Sequence, residues 1–121
     1  MGVPTTGRIR SQQTFQSLRR PAGWARSGAV RAAFVAPDQA LPDTFPLVAY
    51  TIGRRCGPAV RRNRIRRRLR AAVTIVSPEL SSGSYLVGAG PEVHALPFPQ
   101  LVVAVSEAMT LAARRGLGGR P

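Results

Sequence analysis

Gly57-Pro58-Ala59-Val60-Arg61-Arg62-Asn63-Arg64-Ile65-Arg66-Arg67-Arg68-Leu69-Arg70 holds seven arginines and still keeps an apolar seam. Ile65 and Leu69 continue into Ala72, Val73 and Val76 at spacings of three and four, the pattern of one buried helical face. A disordered basic tail has no reason to keep that spacing. Pro58 suits a first helical turn and Ser77-Pro78 is a stop signal, so the spacing predicts a helix from about Pro58 to about Val76. Burial and charge share this helix, which therefore reads as a folded RNA-binding element.

The charge is concentrated. The 121-residue chain carries +13, from eighteen basic residues, all of them arginine, against five acids. Nine of those arginines fall between Arg54 and Arg70, with no acid among them. A merely solvated helix face normally mixes signs to gain (i, i+4) pairs, so a polyanionic partner, nucleic acid above all, is the simpler explanation. Arg62, Arg66 and Arg70 fall one turn apart along one face, with Arg64 and Arg68 in a neighbouring row and Arg61 and Arg67 in the same run. Asn63 offers both a donor and an acceptor. Arg54 and Arg55 sit just ahead of the helix start, where unpaired N–H groups also favour an anion; the bland alternative is that they line a strand end. Arginine supplies planar, forked donors that stack on bases and grip phosphates, although a GC-rich genome would also replace lysine by arginine.

Working outward, Ser11 to Arg19 predicts a short helix capped by Ser11, with Phe15 and Leu18 on one face. Residues 28 to 36 alternate and predict a strand, followed by a Pro-rich loop with Asp38 and Asp43. Leu47 to Ile52 is the clearest strand, and Ser84 to Val87 is another. Leu101, Val105, Ala108, Met109 and Ala112 mark a last amphipathic helix, with Arg114 and Arg115 near its negative end and Gly116 as its terminator. The expected fold is a two-layer α+β sandwich with three helices on a small, mostly antiparallel sheet. It is one domain over residues 1–121, with a core from about 8 to 115 and a flexible tail over 116–121.

Several function classes lose support. No apolar run approaches the roughly 20 residues that span a bilayer, and nothing directs the chain out of the cytoplasm. Cys56 is the only cysteine, so an internal disulfide is impossible. The acids are scattered and His94 has no carboxylate near it in sequence, so no catalytic or metal-ligating residue is assigned. Aromatics are few: Phe15 and Phe34 fit either core packing or a groove where they stack on unpaired bases, and Trp24 reads as a packing anchor.

The stretch from Val48 to Arg70, with its core Gly57-x-Ala59-Val60-x-Arg62-Asn63-Arg64 followed by Ile65-Arg66-Arg67, resembles the protein subunit of bacterial ribonuclease P. Weaker likeness covers Arg8 to Phe15, the Phe34 strand, Tyr85 to Val87 and the final helix. The resemblance implies a left-handed βαβ crossover, against the usual hand. It also implies a catalytic RNA that cleaves precursor tRNA at the mature 5′ end with Mg²⁺, while the protein binds no cofactor of its own and needs no protein or membrane partner. The family's Arg-Asn-Arg falls on Arg62, Asn63 and Arg64, its next basic pair on Arg66 and Arg67, and its pair after the strand on Arg54 and Arg55. Its 5′ leader cleft lies between the first helix and the central sheet, which marks Phe15, Phe34 and Tyr50 as leader contacts. Relatives often carry basic residues where this chain has Gly88 to Gly90. The rival readings are a structural RNA-binding protein of ribosomal or assembly type and a solitary nuclease; the missing acid/base cluster disfavours the latter.

Overall fold

The arginine-rich segment folds as a helix whose apolar seam faces inward. The structure, a computed structural model, describes residues 7–8, 24–35 and 46–117. Its elements are β1 (Gly7–Arg8), β2 (Ala25–Ser27), β3 (Val30–Val35), β4 (Leu47–Thr51), α1 (Ala59–Val76), β5 (Ser84–Ala89) and α2 (Phe98–Leu117). They build a five-stranded sheet in the order β1-β4-β5-β3-β2. The helix predicted over 11–19, with Phe15, and the loop carrying Asp38 and Asp43 lie outside the described residues. Among the described residues there are two α-helices.

The expectation of a mostly antiparallel sheet is corrected. β1 with β4 and β4 with β5 pair in parallel, while β3 with β5 and β2 with β3 are antiparallel. The cause is α1: an 18-residue helix between β4 and β5 returns the chain to the end at which β4 began, so the next strand runs the same way. Strand alternation then sorts the side chains. Val30, Ala32, Phe34, Val48, Tyr85 and Val87 join one core with the inner faces of α1 and α2. Ala33 and Leu86 point to the opposite face, with Trp24, Val35, Leu47 and Ala49 against them.

All five seam residues of α1 are buried, as are the five apolar positions named on α2. Each fully buried Ile, Leu or Val contributes roughly 1.5–3 kcal/mol through removal from water. That contribution anchors a helix whose outer face repels itself.

Two sequence expectations shift for local reasons. Residues 28–36 are not one strand: Gly28, at φ 59°, and Ala29 form the two-residue turn of a β2–β3 hairpin. Glycine at the first central position with a negative φ after it is the type II′ pattern that matches strand twist. Nor does α2 stop at Gly116, since it continues to Leu117. A Cβ at Gly116 would overlap the Phe34 ring, and so would one at Gly83, whose φ is 145°. Phe34 is thus seated between two glycines, and Gly116 is kept for packing rather than termination.

Candidate nucleic-acid interface

α1 begins after Pro58, which provides no side-chain cap, and its first turn has no acid. The first helical bond from this end runs from Arg62 N–H to the Pro58 carbonyl at 3.0 Å. Just ahead, Arg54–Cys56 forms a 3-10 turn closed by Cys56 N–H to Gly53 O at 3.0 Å. Cys56 is buried beneath it, with Sγ 3.4 Å from the Ala89 carbonyl. The turn leaves Arg54 and Arg55 exposed beside the helix start. Ala59 and Val60 are exposed as well, Val60 to 74%.

The arginines of α1 divide by what they touch. Arg62 donates through Nε to the Gly57 carbonyl at 3.1 Å, bracing the turn into the helix. Arg66 Nη1 donates to Asn63 Oδ1 at 2.9 Å, which fixes the amide's orientation. Arg68 donates to the Leu96 carbonyl and lies 6.0 Å from the Phe98 ring centre, tying α1 to the start of α2. Arg70 stacks 5.8 Å from the Tyr50 ring centre. Arg61, Arg64 and Arg67 are exposed and have no partner among the described residues. They repeat every third residue, so the free guanidinium groups form a ridge that drifts slowly around the helix.

The ten sequence-predicted RNA-binding residues lie on the turn and helix from Arg54 to Arg70 but not in one environment. Arg68 is half-buried and braces the fold, and its Nε is buried without a partner. Arg54, Arg55, Arg61, Arg64 and Arg67 are the cations most open to an anion, with Asn63 exposed among them.

Of the three residues expected at a leader cleft, the two that are described, Phe34 and Tyr50, belong to the helix-side core. Phe15 lies outside the described residues. Phe34 is only 9% exposed, with its ring edge-on to Tyr85 at 4.9 Å, so core packing replaces the expected base contact. Alternation along β3 turns this side chain toward α2, because Val30, Ala32 and Phe34 share a face. Tyr50 also joins the helix-side core, half-buried under Arg70. Burial pushes its phenol up to about 12 despite the opposing pull of Arg70, so it stays neutral.

Sequence reading missed the polar residues of the other sheet face. Trp24 is not a simple loop anchor: the Arg31 guanidinium lies 5.4 Å from its ring centre, and Arg26 joins the same concavity. The available signal was strand alternation, which sends Arg31 away from Val30 and Ala32. His94 is half-buried in a 3-10 turn, and its Nδ1 lacks a partner among the described residues. Among the described residues no three His, Cys, Asp or Glu side chains converge to hold a metal ion, and no helix is long and apolar enough to cross a membrane.

The Ribonuclease P family profile matches residues 3–113. The ribonuclease P protein component of Symbiobacterium thermophilum is 38% identical over 101 residues, covering 83% of this chain and 85% of that protein. The component from Roseiflexus sp. RS-1 is 31% identical over 107 residues, covering 87% and 84%. The fold is shared with the RNase P protein of Thermotoga maritima (TM-score 0.71, 14% identity, 85% and 94% covered) and that of Staphylococcus aureus (TM-score 0.70, 15% identity, 87% and 94% covered).

Proposed function

Because this chain belongs to the ribonuclease P protein family and is a protein component of that tRNA 5′-maturing endoribonuclease, we propose that the α1 ridge is the face that grips the catalytic RNA. The carrying observation is the run from Arg54 to Arg70, which has nine arginines and no acid. On this reading Arg54, Arg55, Arg61, Arg64 and Arg67 contact phosphates directly. Arg62, Arg66 and Asn63 hold the start of the helix in shape, and Arg68 and Arg70 set its position on the fold.

The chain's own residues supply binding and positioning. Mg²⁺ belongs to the RNA-catalysed cleavage. The single-stranded leader of precursor tRNA lies across the sheet face that α1 and α2 leave uncovered. By family resemblance a first helix over 11–19 borders that face, the β4-α1-β5 crossover is left-handed, and the complex works in the cytoplasm.

Reconstitution tests the reading. The protein is mixed with its cognate catalytic RNA and precursor tRNA at low Mg²⁺, where unscreened RNA repulsion makes added positive charge most effective. Faster 5′ cleavage is expected, with Arg64→Ala reducing the stimulation. A protein that binds the RNA yet leaves cleavage unchanged would be the structural RNA-binding type instead.

A further inference from the structure

Two of the three side-chain carboxylates among the described residues, Glu92 and Glu107, line one groove. It runs between the turn of the β2–β3 hairpin and α2, has a volume of about 490 Å³, and is walled by Ala29, Leu96, Val103 and Ala104. Val103 is 56% exposed there, a large apolar side chain left in water. Among the described residues no arginine lines the groove.

In this chain a free carboxylate is the scarce group, because eighteen arginines are set against five acids. Yet neither Glu92 nor Glu107 makes an ion pair among the described residues. Neutral groups hold them instead. Ser27 Oγ donates to Glu107 Oε1 at 2.7 Å. Glu92 lies against Gly90, where a Cβ would overlap its carboxylate, and the Gly90 N–H donates to the Ala29 carbonyl at 2.9 Å. Two negative charges are thus fixed on separate elements around one apolar surface, and neither is neutralised.

From this geometry we infer that the groove binds a linear aliphatic polyamine. Its volume falls within the roughly 300–1,000 Å³ of small-molecule sites, and its lining pairs apolar walls with a few polar groups as such sites do. The ammonium groups donate to Glu92 and Glu107, and the methylene chain between them covers Leu96 and Val103. A compact metal ion matches the charge but not the walls, and among the described residues no third ligand converges with these two. A second copy of this chain is a poorer occupant, since two bodies of charge +13 repel each other. The α1 ridge takes no part in this site, which stands apart from the function proposed above.

Spermidine is the probe, titrated calorimetrically into the full chain at about 0.15 M salt, where exposed charges farther off than roughly 8 Å are largely screened. One saturable site is expected. Glu92→Gln and Glu107→Gln should each weaken it about three- to tenfold, the scale of one charged contact at a partly solvated site. The amide at position 107 can still accept from Ser27, so the fold is kept. Val103→Ser should weaken binding as well, although it removes no charge. All three positions are exposed, and the variants should melt with the wild type. Mg²⁺ should displace spermidine no better than sodium chloride of equal ionic strength. Absence of a saturable site, wild-type affinity in either glutamate variant, or specific displacement by Mg²⁺ overturns the assignment. So does self-association of the wild type, seen by sedimentation without spermidine, that Glu107→Gln abolishes, because it gives the groove to a second copy.

Discussion

Arg64 and Arg68 lie one helical turn apart on α1, yet they should fail in different assays. Arg64 is exposed and unpartnered among the described residues, so Arg64→Ala removes no contact made among them. Its melting temperature should stay within the range of a neutral surface change, about 0.5 kcal/mol. Against the catalytic RNA it loses a charged phosphate contact of about 1.5–3 kcal/mol, or roughly 10- to 150-fold in affinity. The slope of log K against log salt should become shallower by roughly 0.7–0.9. Arg68 already spends its guanidinium on the Leu96 carbonyl and the Phe98 ring. Arg68→Ala forfeits a charged hydrogen bond of about 1.5–3 kcal/mol and a cation–π contact of about 0.5–1 kcal/mol. Removing its unpartnered buried Nε gives back part of that, on the order of 1 kcal/mol. The net cost is about 1–3 kcal/mol, a fall of roughly 4–12 °C in Tm for a domain of this size. Thermal unfolding by circular dichroism and RNA binding over a salt series, both on the same preparations, make the comparison. Equal loss of salt slope in the two variants, with no difference in melting, would refute the division of these arginines into braces and contacts.

Phe34→Leu should lower the melting temperature while leaving affinity for leader-bearing precursor tRNA unchanged, because the ring packs between Gly83, Gly116 and Tyr85; selective loss of leader affinity at unaltered stability would return Phe34 to the RNA surface. The chain's two tyrosines, Tyr50 and Tyr85, are both pushed by burial to about 12, above the ordinary 10. Below pH 10 both folded and unfolded phenols stay protonated and stability is intact; between about 10 and 12 the unfolded chain releases protons the folded one keeps, so stability falls. Absorbance at 295 nm should therefore rise only as the helical signal is lost, and a phenol ionising near 10 in the intact fold would contradict the burial.

Periodicity was enough to locate the strongest elements. The seam of α1, the β4 strand and the inner face of α2 each repeat over several turns or residues, and burial follows that repeat directly. The β2–β3 hairpin was less legible because its turn is only Gly28 and Ala29 and β2 is only the three residues Ala25–Ser27. Parallel pairing was hidden for a different reason: it is set by where α1 returns the chain, which no local pattern encodes. At the candidate site, composition revealed the cationic run but not its division. Whether an arginine is free depends on distant groups such as the Leu96 carbonyl, which is 28 residues from Arg68. Phe34 was marked as a leader contact by resemblance alone; alternation left it to core packing or a groove, because it defines two faces without saying which one the helices cover.

The partners of the tethered arginines explain how so much charge is held on a folded surface. Arg62, Arg68 and Arg115 donate to the carbonyls of Gly57, Leu96 and Trp24, and Arg66 donates to the Asn63 amide. Arg31, Arg68 and Arg70 lie against Trp24, Phe98 and Tyr50. Every one of these partners is neutral. Carboxylates would fix the same side chains but cancel the field that steers a polyanion to them. Backbone oxygens and ring faces fix the planar guanidinium without removing its charge. Lysine, with a strongly hydrated point charge and no plane to stack, would serve this arrangement poorly. Orientation is thereby supplied inside the protein, while neutralisation is left to the RNA.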